Sequence, residues 1–421
     1  MIGGLIVHKI INEVKDDLIK FTQDIIRIPS ITGEEGDLAK FVLKMLKEAG
    51  IEESLIDEAG NVIGVLRGSG KGPNIMLNGH LDVVPPGNLE NWKYDPFGAE
   101  IDKEGNIHGR GAADLKSGMS VQFYTMKVLK GLVDRGLSLP GDVIFSQVVF
   151  EEAAEMLGME YLCEKTLPEN NLSFDVVYIC EPTDLRVVLG HRGKVEVVVK
   201  TKGVTAHSST PWAGVNALEK MVPVLDAVFN VMGKNMESHP DLGQGSITIT
   251  NIVSRPGALS IVPDECEISI DRRYIPGETL ESILGEFEQL FKGIKKDDPN
   301  FKAEVFPRSF VEESYTGYKK EVKKYHPVWT TDTKNPFVKK TVKALKGVGQ
   351  DPEFGYWRFG TDGSMSAGLM GIPTIGYSGM EEQFAHTPEE QVNIGKMVKS
   401  LEGYIAIVCE LLDIDTSVLK D

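Results

Sequence analysis

The feature that most constrains this chain is a change of pattern near Gly190. Before it, strands alternate with helices. Residues 8–29 repeat apolar side chains at helical spacing, Ile28–Gly33 breaks the repeat, and a second helix runs from Glu34 to Glu48 and stops at Gly50. Asn61–Leu66 and Pro73–Leu77 read as a strand pair joined by a plain hairpin turn, Arg67–Gly72. Ser117–Leu132 reads as a helix, and Asp142–Val149 and Asp175–Cys180 as strands. This alternation specifies an α/β sheet sandwiched by helices. After Gly190 the order is strand Val195–Lys200, helix Val215–Met232, strands Gly245–Val253 and Glu265–Asp271, helix Thr279–Phe291 and strand Phe301–Phe306. That is a ferredoxin-like β-α-β-β-α-β unit. A polar, lysine-rich, less regular stretch (Tyr315–Lys334) follows, and helix Pro336–Lys346 and the tail return to the first pattern. At 421 residues the chain exceeds one typical core. The expected division is 1–187 and 323–421 for an outer α/β unit, with 188–322 inserted in it.

Charge and cysteine usage narrow the function. Lys and Arg number 45 against 62 Asp and Glu, a formal charge of −17. Nucleic acid and anionic membrane both want a basic surface, so neither is expected as a partner. A small acidic substrate stays open, because a basic pocket can sit on an acidic surface. The four cysteines (163, 180, 266 and 409) are widely spaced without a CxxC, which fits free thiols in a reducing compartment. The apolar start Ile2–Val7 runs straight into Asn12–Asp17 and reads as an amphipathic helix rather than a signal peptide. No apolar run approaches a membrane span, and the expected location is the cytoplasm. Arg67–Gly72 superficially looks like a phosphate loop, but no Ser or Thr follows Gly70-Lys71 and no helix begins there.

The chemistry concentrates in a few short segments. Asn78-Gly79-His80-Leu81-Asp82 follows the apolar run Asn74–Leu77. Residues i and i+2 of a strand share a face, so Asp82 can hold one ring nitrogen of His80 while the other meets a metal. Gly109–Asp114 supplies a carboxylate from a glycine-rich loop; capping of the next helix would also explain Asp114. Glu151-Glu152 follows one buried strand and Glu181-Pro182 the next. Two adjacent carboxylates at a strand exit are usually solvated charges, and at the end of a central strand they are costly unless a cation neutralises them. His386 is a lone histidine ahead of a helix, a setting more often structural than ligating. Imidazole plus carboxylates suits Zn²⁺, with Co²⁺ or Mn²⁺ as substitutes. Of the other histidines, His8, His239 and His326 read as surface residues and His108 and His191 as structural. His207 lies in a small-residue loop that leads into a helix.

In this order the segments resemble the dimetal aminoacylase, acetylornithine deacetylase, succinyl-diaminopimelate desuccinylase and glutamate carboxypeptidase family, over about residues 10–412. The resemblance implies a zinc-hydrolase α/β sheet with an inserted ferredoxin-like lid and dimerisation domain, and two Zn²⁺ per subunit. It assigns His80, Asp114, Glu152, Glu181 and His386 as ligands, with Asp114 the bridge, Asp82 the clamp on His80 and Glu151 the general base. Gly203, Ala206, His207, Pro211, Gly214, Asn216 and Ala217 match the family's GxxAHxxxPxxGxNA segment. There His207 would polarise the scissile carbonyl in the partner subunit's site. Asn251, Gly360 and Thr361 match substrate-contacting elements, and Arg273 would hold a substrate carboxylate. Along the strand from Glu265, alternation puts Arg272 on the helix side and Arg273 on the open face. The resemblance also implies a cis Asp114–Leu115 bond. Departures are Phe150 before the Glu pair, Ala153-Ala154-Glu155 after it, and the acid-rich Met380–Phe384, which hints at a cationic substrate group. The expected activity is zinc-dependent removal of an acyl group from an N-acyl amino acid by a homodimer. Dipeptidase or carboxypeptidase action on small peptides is the alternative within enzymes, and a catalytically silent dimeric binding protein the alternative outside them.

Overall fold

The computed structural model describes residues 2–153 and 156–414, with side chains from residue 10 onward. The side chain of His8, and Ala154-Glu155, therefore lie outside it. The chain opens with helices α1 (Ile2–Ile26) and α2 (Gly36–Glu48). In α2 Asp37 in the first turn and Lys47 in the last complement the helix dipole, and Leu38, Ala39, Val42 and Leu46 form its buried stripe. Next come β1 (Ser54–Ile56), β2 (Val62–Leu66), β3 (Ile75–His80), β4 (Asn106–His108), α3 (Lys116–Asp134) and β5 (Val143–Val148). The short helices α4 (Leu157–Tyr161) and α5 (Leu167–Glu169) lead to β6 (Val176–Ile179) and β7 (Val187–His191).

The chain then leaves this sheet. β8 (Gly193–Lys202), α6 (Ala217–Ala227), a small ribbon of β9 (Ser238–His239) and β10 (Gly243–Gln244), β11 (Ser246–Arg255), β12 (Glu265–Tyr274), α7 (Leu280–Asp297) and β13 (Ala303–Pro307) follow. Their main sheet has the antiparallel order β11-β12-β8-β13, the arrangement of a β-α-β-β-α-β unit. Val195, Val197, Val199, Cys266, Ile268 and Ile270 face Met221, Val224, Ile283 and Phe287 of the helices. Asn216 caps α6 by accepting from the amides of Leu218 and Glu219, and Thr279 and Ser282 form a capping box on α7. The other sheet face is polar, and Arg308 there bonds Glu196, Glu267 and Ser269.

Lysine-rich Tyr315–Lys334 is more regular than its composition suggests. A two-stranded hairpin, β14 (Ser309–Glu313) with β15 (Lys319–Lys323), precedes β16 (Tyr325–His326) and β17 (Trp329–Thr330). A run of charged side chains masks the strand pattern, and Lys319 pairs with Glu313 across the ribbon. β16 adds to β8, which buries His326 instead of leaving it on the surface. Then α8 (Pro336–Gly347), β18 (Phe354–Trp357), β19 (Thr374–Gly376), β20 (Gln391–Asn393) and α9 (Ile394–Leu411) complete the outer unit. The sheet switch follows His191, so β7 beyond residue 187 still belongs to the outer sheet, and the chain re-enters that sheet at Trp329.

Among the described residues the outer sheet has nine strands, in the order β1-β2-β5-β3-β6-β19-β7-β17 with β18 also on β7. Ile75, Leu77, Phe145 and Tyr178 pack against α1, α2, α3 and α9, while Met76, Ile144, Val148 and Val177 meet the α4–α5 segment on the other face. This is the expected α/β sheet between helices. The expected hairpin of Asn61–Leu66 with Pro73–Leu77 does not form. β5 lies between β2 and β3, antiparallel to one and parallel to the other. Both strands are buried along their length, so each needs neighbours on two sides. The Arg67–Gly72 loop crosses the end of β5, where the amides of Lys71 and Gly72 donate to the Pro140 carbonyl.

That crossing is tight. A Cβ on Gly141 would stand 2.0 Å from the Pro73 carbonyl oxygen, whereas one on Gly131, on the exposed side of α3, meets nothing within 4 Å. Gly141→Ala should cost about 1–3 kcal/mol, and Gly131→Ala should gain about 0.5–1 kcal/mol, read as shifts in urea midpoint. Equal small effects would contradict the close crossing.

Candidate metal centre

β5, β3 and β6 are adjacent and parallel, so their carboxyl ends open on one crevice. His80 ends β3, Glu151-Glu152 follow β5, and Glu181 follows β6. Asp114 arrives from the loop ahead of α3 and His386 from the loop ahead of β20. All five expected ligands, with Glu151, therefore meet. His80 Nε2 lies 3.1 Å from Asp114 Oδ1 and 3.4 Å from Glu181 Oε1. His386 Nε2 lies 3.2 Å from Asp114 Oδ2 and 3.0 Å from Glu152 Oε2. The two oxygens of Asp114 thus face two different imidazoles. One ligand atom each from His80, Glu151 and Glu181, and from His80, Asp114 and Glu152, falls within 4.8 Å of the others in its group. The Asp114–Leu115 peptide bond is cis.

The electrostatics of this group call for cations. Burial, then the neighbouring Glu181, raises the Glu151 carboxyl well above its usual range. Burial and Asp114 raise Glu152 and bring Glu181 to about 8. Burial opposes ionisation of Asp114 too, but its bonds to His386 and His80 win and hold it low. His386 is pushed up to about 10 by its bonds to Asp114 and Glu152. In His80 the neighbouring Asp114 and Glu181 outweigh burial and raise the imidazole. Four carboxylates crowd around the buried imidazole of His80 and the half-exposed imidazole of His386, a donor set that fits a pair of divalent cations.

Two buried carboxylates outside the ligand set shape it. Asp82 does not clamp His80 with its carboxylate. Its main-chain carbonyl takes His80 Nδ1 at 2.8 Å, while the nearest carboxylate oxygen is 3.7 Å away. The Asp82 carboxylate instead accepts from the amides of Glu151 (3.1 Å) and Glu152 (3.0 Å) and from the Thr32 hydroxyl (2.9 Å). It fixes the turn that carries the Glu pair, just after Phe150 passes through the left-handed region at φ 61°. Glu390 does the same for the Asp114 loop. Its carboxylate accepts from the amides of Gly111, Ala113 and Asp114 at 3.0–3.1 Å and pairs with buried Arg110. The β4–β20 ribbon joins the same two loops. Sequence reading passed over Glu390, since nothing in Glu389-Glu390 marks which acid is buried.

Ligands and substrate candidates share a cavity of about 350 Å³ lined by Asp114, Glu151, Glu152, Glu181, Lys194, Arg273, His326, Phe359, Gly360, Glu382, Ala385 and His386. Arg272 is buried on the helix side of β12 and bonds Glu278, whereas Arg273 faces the cavity, where it also pairs with Asp271 at 2.7 Å. His326, Lys194 and Phe359 are additions that sequence reading did not place here. His326 comes in through β16, and burial and the nearby His191 keep its imidazole neutral. His191 is also buried, at about 4, and its Nε2 accepts from the Thr361 amide. Thr361 is therefore behind the cavity wall. Asn251 is exposed at a bulge on edge strand β11. His207 is exposed as well; its Nδ1 accepts from the amide and hydroxyl of Ser209, and it does not line this cavity. His108 stacks on Tyr94 and bonds Asp102, a structural setting.

A cation entering this site must displace protons from the raised His386 and Glu181. Zn²⁺ binding to the metal-free protein at neutral pH should release protons, and apparent affinity should rise as pH climbs over about 6–8. Calorimetry in buffers of different ionisation enthalpy reads the release, and binding with no proton release would contradict the charge state described.

Residues 76–413 match the family model described as Peptidase family M20/M25/M40. The uncharacterized protein YgeY of Escherichia coli (strain K12) is 32% identical over 404 residues, covering 94% of this chain and 96% of YgeY. A succinyl-diaminopimelate desuccinylase of Hydrogenovibrio crunogenus is 28% identical over 282 residues, 65% of this chain and 72% of its own. The crystal structure of aminopeptidase PepT from Bacillus cereus ATCC 10987 superposes with a TM-score of 0.71 at 21% identity, covering 94% of this chain and 98% of PepT.

Proposed function

This chain belongs to the peptidase family M20/M25/M40, and from that premise we propose that it is a zinc-dependent deacylase of N-acyl amino acids. Members of the family are hydrolases acting on amide and peptide bonds. His80, Asp114 and Glu181 would hold one Zn²⁺, and His386, Asp114 and Glu152 the other; Co²⁺ or Mn²⁺ would fit the same donors. When bound, the cations would supply Lewis acidity toward the scissile carbonyl and toward water. Glu151 is the general base. It stands among the ligands, and its raised carboxyl can take a proton and return it to the leaving amine. Asp82 orients it through the amides of the Glu pair.

The observation that carries the substrate class is Arg273 on the wall of the cavity that also holds Glu151 and His386. A guanidinium there recognises a carboxylate bidentately, as in an N-acyl amino acid. The C-terminus of a small peptide would present the same group, so dipeptidase or carboxypeptidase action is the second reading. Gly360 lines the approach, and Asn251 and Thr361 are substrate contacts only if the units move relative to this arrangement.

The proposed working form is a homodimer in which His207 serves the partner subunit's site. Supporting this, the unit that carries His207 exposes Trp212, Val222, Phe229, Ile252 and Leu259, and His207 itself bridges to exposed Ile261. There it would donate to the developing oxyanion. The cytoplasm is the proposed location, supported by four cysteines that are all buried and free. No helix among the described residues is long and apolar enough to cross a membrane.

A panel of N-acetyl, N-succinyl and N-formyl amino acids and dipeptides, run with Zn²⁺, Co²⁺ and Mn²⁺, tests the reading. Metal-dependent hydrolysis of an N-acyl amino acid is expected; intact metal binding with no turnover on any member would leave a silent binding protein. On the best substrate Glu151→Gln should reduce turnover by about 10²–10⁴-fold at unchanged metal content. Glu152→Gln should lose metal, and the reverse pattern would overturn the division of roles.

A further inference from the structure

The turn that carries the Glu pair is also held from the side of the inserted unit. Lys324 stands between β15 and β16, and its main chain is fixed twice. Its amide donates to the Arg308 carbonyl at 2.8 Å, and its carbonyl accepts from the Glu196 amide at 2.9 Å. The side chain leaves that sheet. Its ammonium lies over the Phe310 ring, 4.7 Å from the centroid, and donates to the main-chain carbonyl of Ala153, the residue directly after the Glu pair. Lys324 is near the cavity as well: burial, His191, Lys194 and then Lys324 keep the His326 imidazole neutral. Asp82 already holds the amides of Glu151 and Glu152. The turn is thus clamped at two amides by the outer unit and at the next carbonyl by Lys324. This is the stretch in which Ala153-Ala154-Glu155 departs from the family pattern. Ordering a long lysine side chain costs rotamer freedom, which a charge-assisted hydrogen bond can offset.

We propose that Lys324 is a positioning residue for Glu151 and Glu152. It does not touch the reacting atoms. By holding the Ala153 carbonyl it stops the turn from pivoting about its Asp82 contacts, and so fixes where the two carboxylates point. Because Lys324 is seated between β15 and β16, the aim of the general base depends on how the inserted segment is docked. That docking is tied down at the tip of the β14–β15 hairpin. There the Tyr315 hydroxyl donates to the Gly60 carbonyl at 2.9 Å and the Thr316 hydroxyl to the Glu58 carbonyl at 2.6 Å. The catalytic part of the role rests on the hydrolase reading of the site, and the ordering of the turn does not.

Four variants separate this role from a general stitch between the units. Lys324→Met keeps an apolar stem over Phe310 and removes the donor, and Lys324→Arg restores a donor. Lys323→Met removes the neighbouring exposed charge, and Tyr315→Phe removes one hairpin-tip hydrogen bond; both leave the Ala153 contact in place. Hydrogen exchange read by mass spectrometry in the metal-free protein reports on the turn directly. Amides of residues 150–153 should exchange about tenfold or more faster in Lys324→Met, and at the original rate in the other three variants. In a calorimetric zinc titration one of the two binding steps should weaken by about 10–100-fold in Lys324→Met alone. On the best substrate kcat should fall about tenfold or more with KM within about twofold, and Lys324→Arg should regain most of it. The expected changes in exchange and zinc binding, with no hydrolysis even by the unsubstituted protein, would sink the hydrolase reading alone. Unchanged exchange in Lys324→Met, unchanged zinc affinity and kcat there, or equal effects in Lys323→Met or Tyr315→Phe would overturn the role of Lys324.

Discussion

The structure depends on holding four carboxylates together at the ends of three parallel strands. Asp114, Glu151, Glu152 and Glu181 repel one another away from bulk water, and burial raises three of them. Nothing in the ligand set alone would keep the loops closed on such a group. Two further carboxylates do, by turning inward onto main-chain amides. Asp82 grips the amides of Glu151 and Glu152, and Glu390 grips those of Gly111, Ala113 and Asp114. Backbone donors are fixed by the fold, so each anchor converts sheet geometry into ligand position. Glu390 also ties the Asp114 loop to the His386 loop, which places both oxygens of Asp114 between the two imidazoles.

The second constraint is that the chemistry is divided between two sheets. The outer sheet supplies the strand-end ligands, and β12 and β16 of the inserted unit supply Arg273 and His326 to the same cavity. The inserted sheet can do this because its helices occupy only one face. Its open face carries alternating polar residues, and Arg273 is one of them. A buried arginine one position earlier, Arg272, points to the helices and is held by Glu278. A one-residue slip in β12 would exchange the two.

What the sequence revealed follows from how local each signal is. The candidate ligands stand directly at the ends of apolar runs, so the positions of His80, the Glu pair and Glu181 were legible from strand boundaries, and His386 joined them through the family resemblance. Alternation along β12 likewise placed Arg273 on the open face. Pairing between distant segments was not legible. Asn61–Leu66 and Pro73–Leu77 looked like a hairpin because β5, which separates them, lies far along the chain. The anchoring carboxylates were missed or misread for a related reason. Asp82 and Glu390 bind amides, which leave no residue-type signature at the other end. His326 looked like a surface residue in its lysine-rich setting, and only the addition of β16 to β8 buries it.

The central claim is that these residues form a dimetal centre bridged by Asp114. Diffraction from zinc-soaked crystals, with anomalous differences collected at the zinc edge, tests it most directly. Two anomalous peaks about 3.5–4 Å apart are expected, one beside His80 and Glu181 and one beside His386 and Glu152, with a carboxylate oxygen of Asp114 on each. A single peak, or peaks that leave Asp114 uncoordinated in a folded protein saturated with zinc, would contradict the account.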